Sequence, residues 1–128
     1  MEDATEMVER LFDAFNRRDV EAVVELCDEE VEFHAATAEF AGKPDPYLGR
    51  IGMREYFDDV GRLWEELLIT PREIVPVEDG VIVFGRVFAR GRELGIRDLP
   101  IAWRWKVRGG RFAWGRVYMD PEQVLSDE

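Results

Sequence analysis

Apolar residues near the start of the chain return every three or four positions. Met7, Val8, Leu11, Phe12 and Phe15 are separated by acids and other polar residues, which is the spacing of one helical face. Asp3 or Thr5 stands where a cap for that helix belongs, and the pattern ends near Asn16-Arg17-Arg18. Asp19 then caps a second helix whose buried stripe is Val20, Val23, Val24 and Cys27, ending in the acidic Asp28-Glu29-Glu30. Val31-Glu32-Phe33-His34 alternates apolar and polar residues, as a strand with one buried face does. From Ala35 to about Arg50 glycine and proline interrupt both periods, and the loop this predicts is long enough to be a lid. Met53, Tyr56, Phe57, Val60, Leu63, Trp64 and Leu67 return to the helical period and predict a third helix with a broad aromatic face.

Beyond that helix the period changes to two. Segments near Leu68 to Val77, Val81 to Arg90, Leu99 to Val107 and Arg111 to Met119 read as four strands. Glu78-Asp79-Gly80 and Arg108-Gly109-Gly110 are short glycine-bearing turns of the kind that join antiparallel neighbours, and no helical crossover lies between these strands. The expectation is an antiparallel sheet. Asp120-Pro121-Glu122-Gln123 opens a short terminal helix, with an acid at the cap and proline at the first helical position. The predicted order is ααβαββββ with a short C-terminal helix, an α+β domain spanning residues 1–128.

Composition narrows the function classes. A chain of 128 residues, 46% hydrophobic, suits one domain with one core. Its 28 acids against 17 bases give a formal charge of −11, which repels a phosphate backbone, so nucleic acid is not the expected partner. Acids stand near the N-terminus where a signal peptide carries bases, and no apolar run approaches the ~18 residues of a membrane span. The expectation is a cytoplasmic protein without a membrane partner. Cys27 is the one cysteine and reads as a core thiol. One His and one Cys without paired ligand spacing predict no metal site. There is no phosphate loop, no dinucleotide-binding fingerprint and no Gly-x-Ser-x-Gly elbow, and the only serine is Ser126. A cofactor-independent pocket is the expectation that is left.

Four local phrases resemble one family. Phe15-Asn16-Arg17-Arg18-Asp19-Val20-Glu21-Ala22 at the helical hairpin and Val31-Glu32-Phe33-His34 at the first strand are two of them. Tyr47-Leu48-Gly49-Arg50-Ile51-Gly52-Met53-Arg54 before the third helix is the third, and Gly110-Arg111-Phe112 through Arg116-Val117-Tyr118-Met119-Asp120 at the last strand is the fourth. Together with the element order, they are similar to the SnoaL-like branch of the nuclear transport factor 2-like superfamily. The resemblance implies a cone, with a curved antiparallel sheet wrapped around a long helix. It also implies either a cofactor-free isomerase, cyclase or lyase, or a non-catalytic small-molecule-binding or structural module; fold does not choose between them.

Aligned with ketosteroid isomerases of this superfamily, His34 falls where the general base lies, and imidazole titrates near neutrality without a large shift. The plainer reading makes it pocket lining or a strand-edge residue. The isomerases' oxyanion-binding tyrosine falls on Leu11 and their protonated acid on Ala102, so both donors are missing and steroid-type isomerisation is disfavoured. The acid that epoxide hydrolases of this fold carry on the last strand falls on Val117. Arg104 shares the strand face of Ala102 and is the candidate anion stabiliser, and Glu32 beside His34 can orient the ring. Leu11, Phe15, Tyr47, Phe57 and Trp64 complete the expected pocket mouth and wall.

Strand alternation separates a small set, Gly85, Ala89, Ala102, Ala113, Gly115 and Val117, from a large one, Phe84, Phe88, Trp103, Trp105, Phe112, Trp114 and Tyr118. With the small set lining the cone, the aromatics face outward and predict a sheet-to-sheet homodimer around a small apolar ligand. The rival reading packs the aromatics on the third helix and leaves a nearly full core.

Overall fold

Asp3 accepts a hydrogen bond from the Glu6 N–H at 2.8 Å and starts helix α1, Ala4–Asn16, which buries Met7, Val8, Leu11, Phe12, Ala14 and Phe15. The computed structural model describes residues 3–43 and 46–126. Asp19 caps α2, Val20–Leu26, by accepting from the Ala22 N–H at 3.1 Å. This helix stops short of the expected end at Asp28-Glu29-Glu30. Cys27 turns extended and opens strand β1, Cys27–His34, so Asp28-Glu29-Glu30 belongs to the strand and not to a helix end. The reason is tertiary: Cys27 pairs with Phe112, and both side chains are fully buried.

The expected loop after β1 contains a one-turn helix α3, Ala36–Phe40, and a two-residue strand β2, Tyr47–Leu48. Helix α4 spans Gly49–Leu63, and strand β3 begins directly at Trp64 and runs to Val77. Trp64 and Leu67 therefore leave the predicted third helix and become strand residues. Strands β4, Gly80–Gly91, β5, Ile96–Arg108, and β6, Arg111–Tyr118, follow, and α5, Gln123–Ser126, closes the described chain. Gly109 and Gly110, at φ of 60° and 77°, form the two-residue turn between β5 and β6, where a side chain would be strained at both positions.

The six strands form one curved sheet in the order β2-β1-β6-β5-β4-β3. The four other pairings are antiparallel, but β1 runs parallel to β6. The four strands after α4 are antiparallel as expected; β1, whose partner the pattern left open, is parallel to β6 because the two lie far apart in sequence and the intervening helices supply the crossover a parallel pair needs. Among the described residues no helix is long and apolar enough to cross a membrane.

Register decides what lies on each face. Val83 pairs with Trp103 and Trp103 with Val117, while Trp105 pairs with Gly115, so these residues share the inner face. There Phe12 packs on Trp103 with ring centroids 5.0 Å apart, and Phe33 stacks on Trp105 at 5.2 Å. Phe84 pairs with Ala102 and Ala102 with Tyr118 on the outer face, where Ile82 and Val124 of α5 complete a small cluster. The predicted separation into small inner and large outer residues is thus corrected. Trp103, Trp105 and Phe112 join the core, Ala102 lies outside, and Tyr118 is covered from within the chain.

Candidate functional site

The inner face of the sheet does not close completely on the helices. A cavity remains between Phe15 of α1, the Ala35-Ala36-Thr37 segment, Tyr56 of α4 and strands β3 to β6. It has about 650 Å³ of space not filled by atoms, part of it open to solvent, and about 100 Å³ can hold the centre of a water molecule. Its wall is apolar over most of its extent: Trp64, Leu67 and Ile69 from β3, Val87 and Ala89 from β4, Leu99, Ile101 and Trp103 from β5, Val117 from β6 and Met119 just beyond it. The polar residues are few, namely Thr37, Tyr56 and Arg97. An apolar body with a small number of placed polar groups is the usual composition of a small-molecule site.

Two side-chain devices hold this wall in place. Asn16 ends α1 with its amide nitrogen donating to the Ile69 carbonyl at 2.8 Å and its amide oxygen accepting from the Ile69 N–H at 2.9 Å. That pair of bonds satisfies one backbone position of β3 and fixes the end of the helix carrying Phe15 against it. On the other side Asp59 of α4, fully buried, accepts from the Tyr47 hydroxyl at 2.8 Å, from Lys43 Nζ at 3.1 Å and from Arg62. The segment that leads away from Thr37 is thereby tied back to the helix that carries Tyr56. Burial by itself raises the Asp59 carboxyl, yet the three donors outweigh it and hold the group below its ordinary value.

Tyr56 is the one lining group with a perturbed proton. Burial pushes its hydroxyl well above the ordinary phenol value, against smaller opposing effects from the hydrogen bond with Thr37 and the charge of Arg18. It is a neutral phenol at physiological pH, hydrogen-bonded with Thr37.

Of the residues singled out from the sequence, Phe15, Trp64 and Val117 line the cavity. Leu11 borders a separate, smaller space with Phe33 and Met53. Phe57 packs behind Phe15 at 5.3 Å, and Tyr47 is engaged with Asp59. Glu32 and His34 pair as expected, with His34 Nε2 2.7 Å from Glu32 Oε2, and the Trp114 indole N–H donates to the same oxygen at 3.1 Å. However, Phe33 points inward and is level with Gly115, so Glu32 and His34 occupy the outer face together with Trp114 and Arg116. Arg104 also lies on the outer face, opposite Arg116, and its guanidinium reaches Asp79 at 3.2 Å. Ala102 and Arg104 are therefore corrected from the pocket side to the outer side, because Trp103 between them faces in.

Thr37, Tyr56 and Arg97 were not singled out. Arg97 had a signal: counting back by two from Ile101 and Leu99 places it on the same face, but β5 starts three residues before the expected strand. Tyr56 carries only the helical spacing of a core residue. Thr37 sits in a segment whose composition reads as loop.

A curved sheet wrapped on one helix around an open cavity defines the cone-shaped fold of nuclear transport factor 2-like proteins. The chain belongs to the SnoaL-like domain family, which matches residues 8–114. A nuclear transport factor 2-like protein of unknown function from Burkholderia pseudomallei K96243 has this fold at 18% identity, with a TM-score of 0.84 over 98% of this chain and 97% of that one. TerC, co-crystallized with polyporic acid, is 22% identical, with a TM-score of 0.80 over 96% and 95% of the two chains. A putative polyketide cyclase from Pseudomonas putida KT2440 is 19% identical, with a TM-score of 0.73 over 98% of each chain. No curated protein matches the chain in sequence.

Proposed function

We propose that this protein binds a small, largely apolar molecule in the cone cavity, oriented by hydrogen bonding at Thr37 and Tyr56. The observation that carries this reading is the cavity itself: apolar walls from four strands with Thr37, Tyr56 and Arg97 as the few polar residues among them. Burying an apolar ligand there contributes roughly 25 cal/mol per Å² removed from water, and the Tyr56 hydroxyl selects ligands that carry an oxygen at one end. The family match and the polyketide cyclase-like neighbours support a small-molecule role.

Cofactor-free turnover of a carbonyl compound is the second reading, favoured by Tyr56 as a donor facing a developing enolate oxygen. The proton-transfer role expected for His34, with Arg104 as anion stabiliser, does not serve this cavity, since both side chains lie on the far face of the sheet.

N-phenyl-1-naphthylamine, a neutral dye that brightens in apolar surroundings, tests the binding reading. Saturable brightening by the wild type is expected, with affinity at least tenfold weaker in Ala89→Phe and in Val117→Phe, which fill the cavity from two strands. Circular dichroism of both variants establishes that they fold. Equal dye binding by a folded cavity-filled variant refutes the reading.

A further inference from the structure

We infer that the ligand of this cavity carries a negative charge, a carboxylate or comparable oxyanion attached to an apolar body, and that Arg97 at the mouth holds it. The inference rests on the cavity being a binding site, as proposed above, and specifies what enters it.

Arg97 is the only charged side chain in the cavity wall among the described residues. It pairs in register with Ala89, itself a lining residue, so the strand directs it to the inner face although it lies at the solvent-exposed start of β5. Its position matches a ligand whose body is buried and whose charged end remains near water.

Three nearby acids are already engaged elsewhere. Asp98, the next residue, is held on the opposite face by Arg86 at 3.1 Å. Glu65 and Glu66, between the lining residues Trp64 and Leu67, are paired with Arg90 at 3.0 and 3.6 Å. No ion pair or hydrogen bond occupies the Arg97 guanidinium among the described residues. In a chain of formal charge −11 an uncompensated cation lining an apolar cavity is unexpected on composition alone.

Physics favours an anion despite the acidic surface. At physiological salt, charges more than about 8 Å away are largely screened, so the near guanidinium outweighs the distant surplus. Guanidinium presents paired N–H donors that match a carboxylate in two bonds, whereas a neutral amide or alcohol engages it less strongly. Because Arg97 is exposed, the preference sits at the lower end of what charged hydrogen bonds give, roughly tenfold in affinity.

The experiment compares naphthalene-2-carboxylate with its neutral isostere, naphthalene-2-carboxamide, as competitors of N-phenyl-1-naphthylamine on the whole chain. The wild type should favour the carboxylate by roughly tenfold, and added sodium chloride should shrink that preference. In Arg97→Gln the ratio of carboxylate to amide affinity, each measured against that variant's own dye affinity, should fall to about one; Arg97→Lys should restore part of the preference. Equal affinity of the two competitors for the wild type, or an undiminished carboxylate preference in Arg97→Gln, overturns the inference and leaves the cavity reading standing. Dye that fails to bind the wild type, or that binds the cavity-filled variants equally, overturns both.

Discussion

Gly115 faces Trp105 across the last hairpin, and a methyl group placed on it has nowhere to go. A Cβ at that position lies 2.3 Å from Cζ3, 2.4 Å from Cε3 and 2.9 Å from Cη2 of the indole. Carbon atoms rest at about 3.5 to 4.0 Å, so in Gly115→Ala the ring must retreat by roughly 1 Å or more. Its surroundings resist this: Phe33 is stacked on it at 5.2 Å with only 9° between the planes, Phe112 leans on it at 5.2 Å, and Trp105 is 3% exposed. Overpacking of a filled core costs about 1 to 3 kcal/mol, and disturbing an aromatic pair adds about 0.5 to 1.5 kcal/mol. The expected loss is about 3 kcal/mol, a large part of the 5 to 15 kcal/mol that stabilises a typical domain. Urea unfolding followed by near-ultraviolet circular dichroism measures it. Gly61→Ala is the control, since a Cβ there meets nothing within 4 Å and a helical glycine replaced by alanine gains up to about 1 kcal/mol. Trp105→Phe removes the outer ring and an indole N–H that is buried without a partner among the described residues, so in the double variant Gly115→Ala should cost at least about 1 kcal/mol less. The reasoning fails if Gly115→Ala lies within about 0.5 kcal/mol of the wild type at unchanged denaturant slope.

Two further outcomes follow from perturbed protons. Asp59 is held below its ordinary value when folded, so the stability it contributes is present above its unfolded value near about pH 4 and is lost as pH falls through the depressed folded one. The urea midpoint of the wild type should therefore drop on acidification more steeply than that of Asp59→Asn, and parallel curves would show that the carboxylate is not the source. Cys27 is fully buried, and desolvation pushes its thiol up to about 12. Iodoacetamide at pH 8 should leave the native protein unmodified by mass and label it once in urea; rapid labelling without denaturant would contradict this burial.

The caps of α1 and α2, the buried stripe of α1, the strands β4 to β6 and the glycine turn between the last two could all be read along the chain, because each is a local preference. The end of α4 could not. Trp64 and Leu67 continue the helical spacing of Tyr56, Phe57 and Val60, yet they stand on β3, where a bulge between Trp64 and Glu66 lets two residues three apart face the same cavity. A bulge reproduces the helical interval, so periodicity has no means of distinguishing the two.

The candidate site separates along the same line. Alternation within a strand follows from the pleat alone, so the pairing of His34 with Glu32, and the opposition of Trp103 to Ala102 and Arg104, are properties of the sequence. Which side of one strand joins which side of the next depends on register, and a shift of one residue exchanges every inner residue for an outer one. Grouping residues by size placed Ala102 with Gly115. In the folded sheet Gly115 is small because the Trp105 ring lies against it, so glycine and tryptophan share one face as complementary volumes. Sequence determined the caps of α1 and α2, the strands β4 to β6 and the acidic balance. Tertiary structure alone decided that Phe33 and not His34 points inward, and that Tyr56, Thr37 and Arg97 meet at one cavity, because those choices rest on hydrogen-bond register and packed volume between segments distant in the chain.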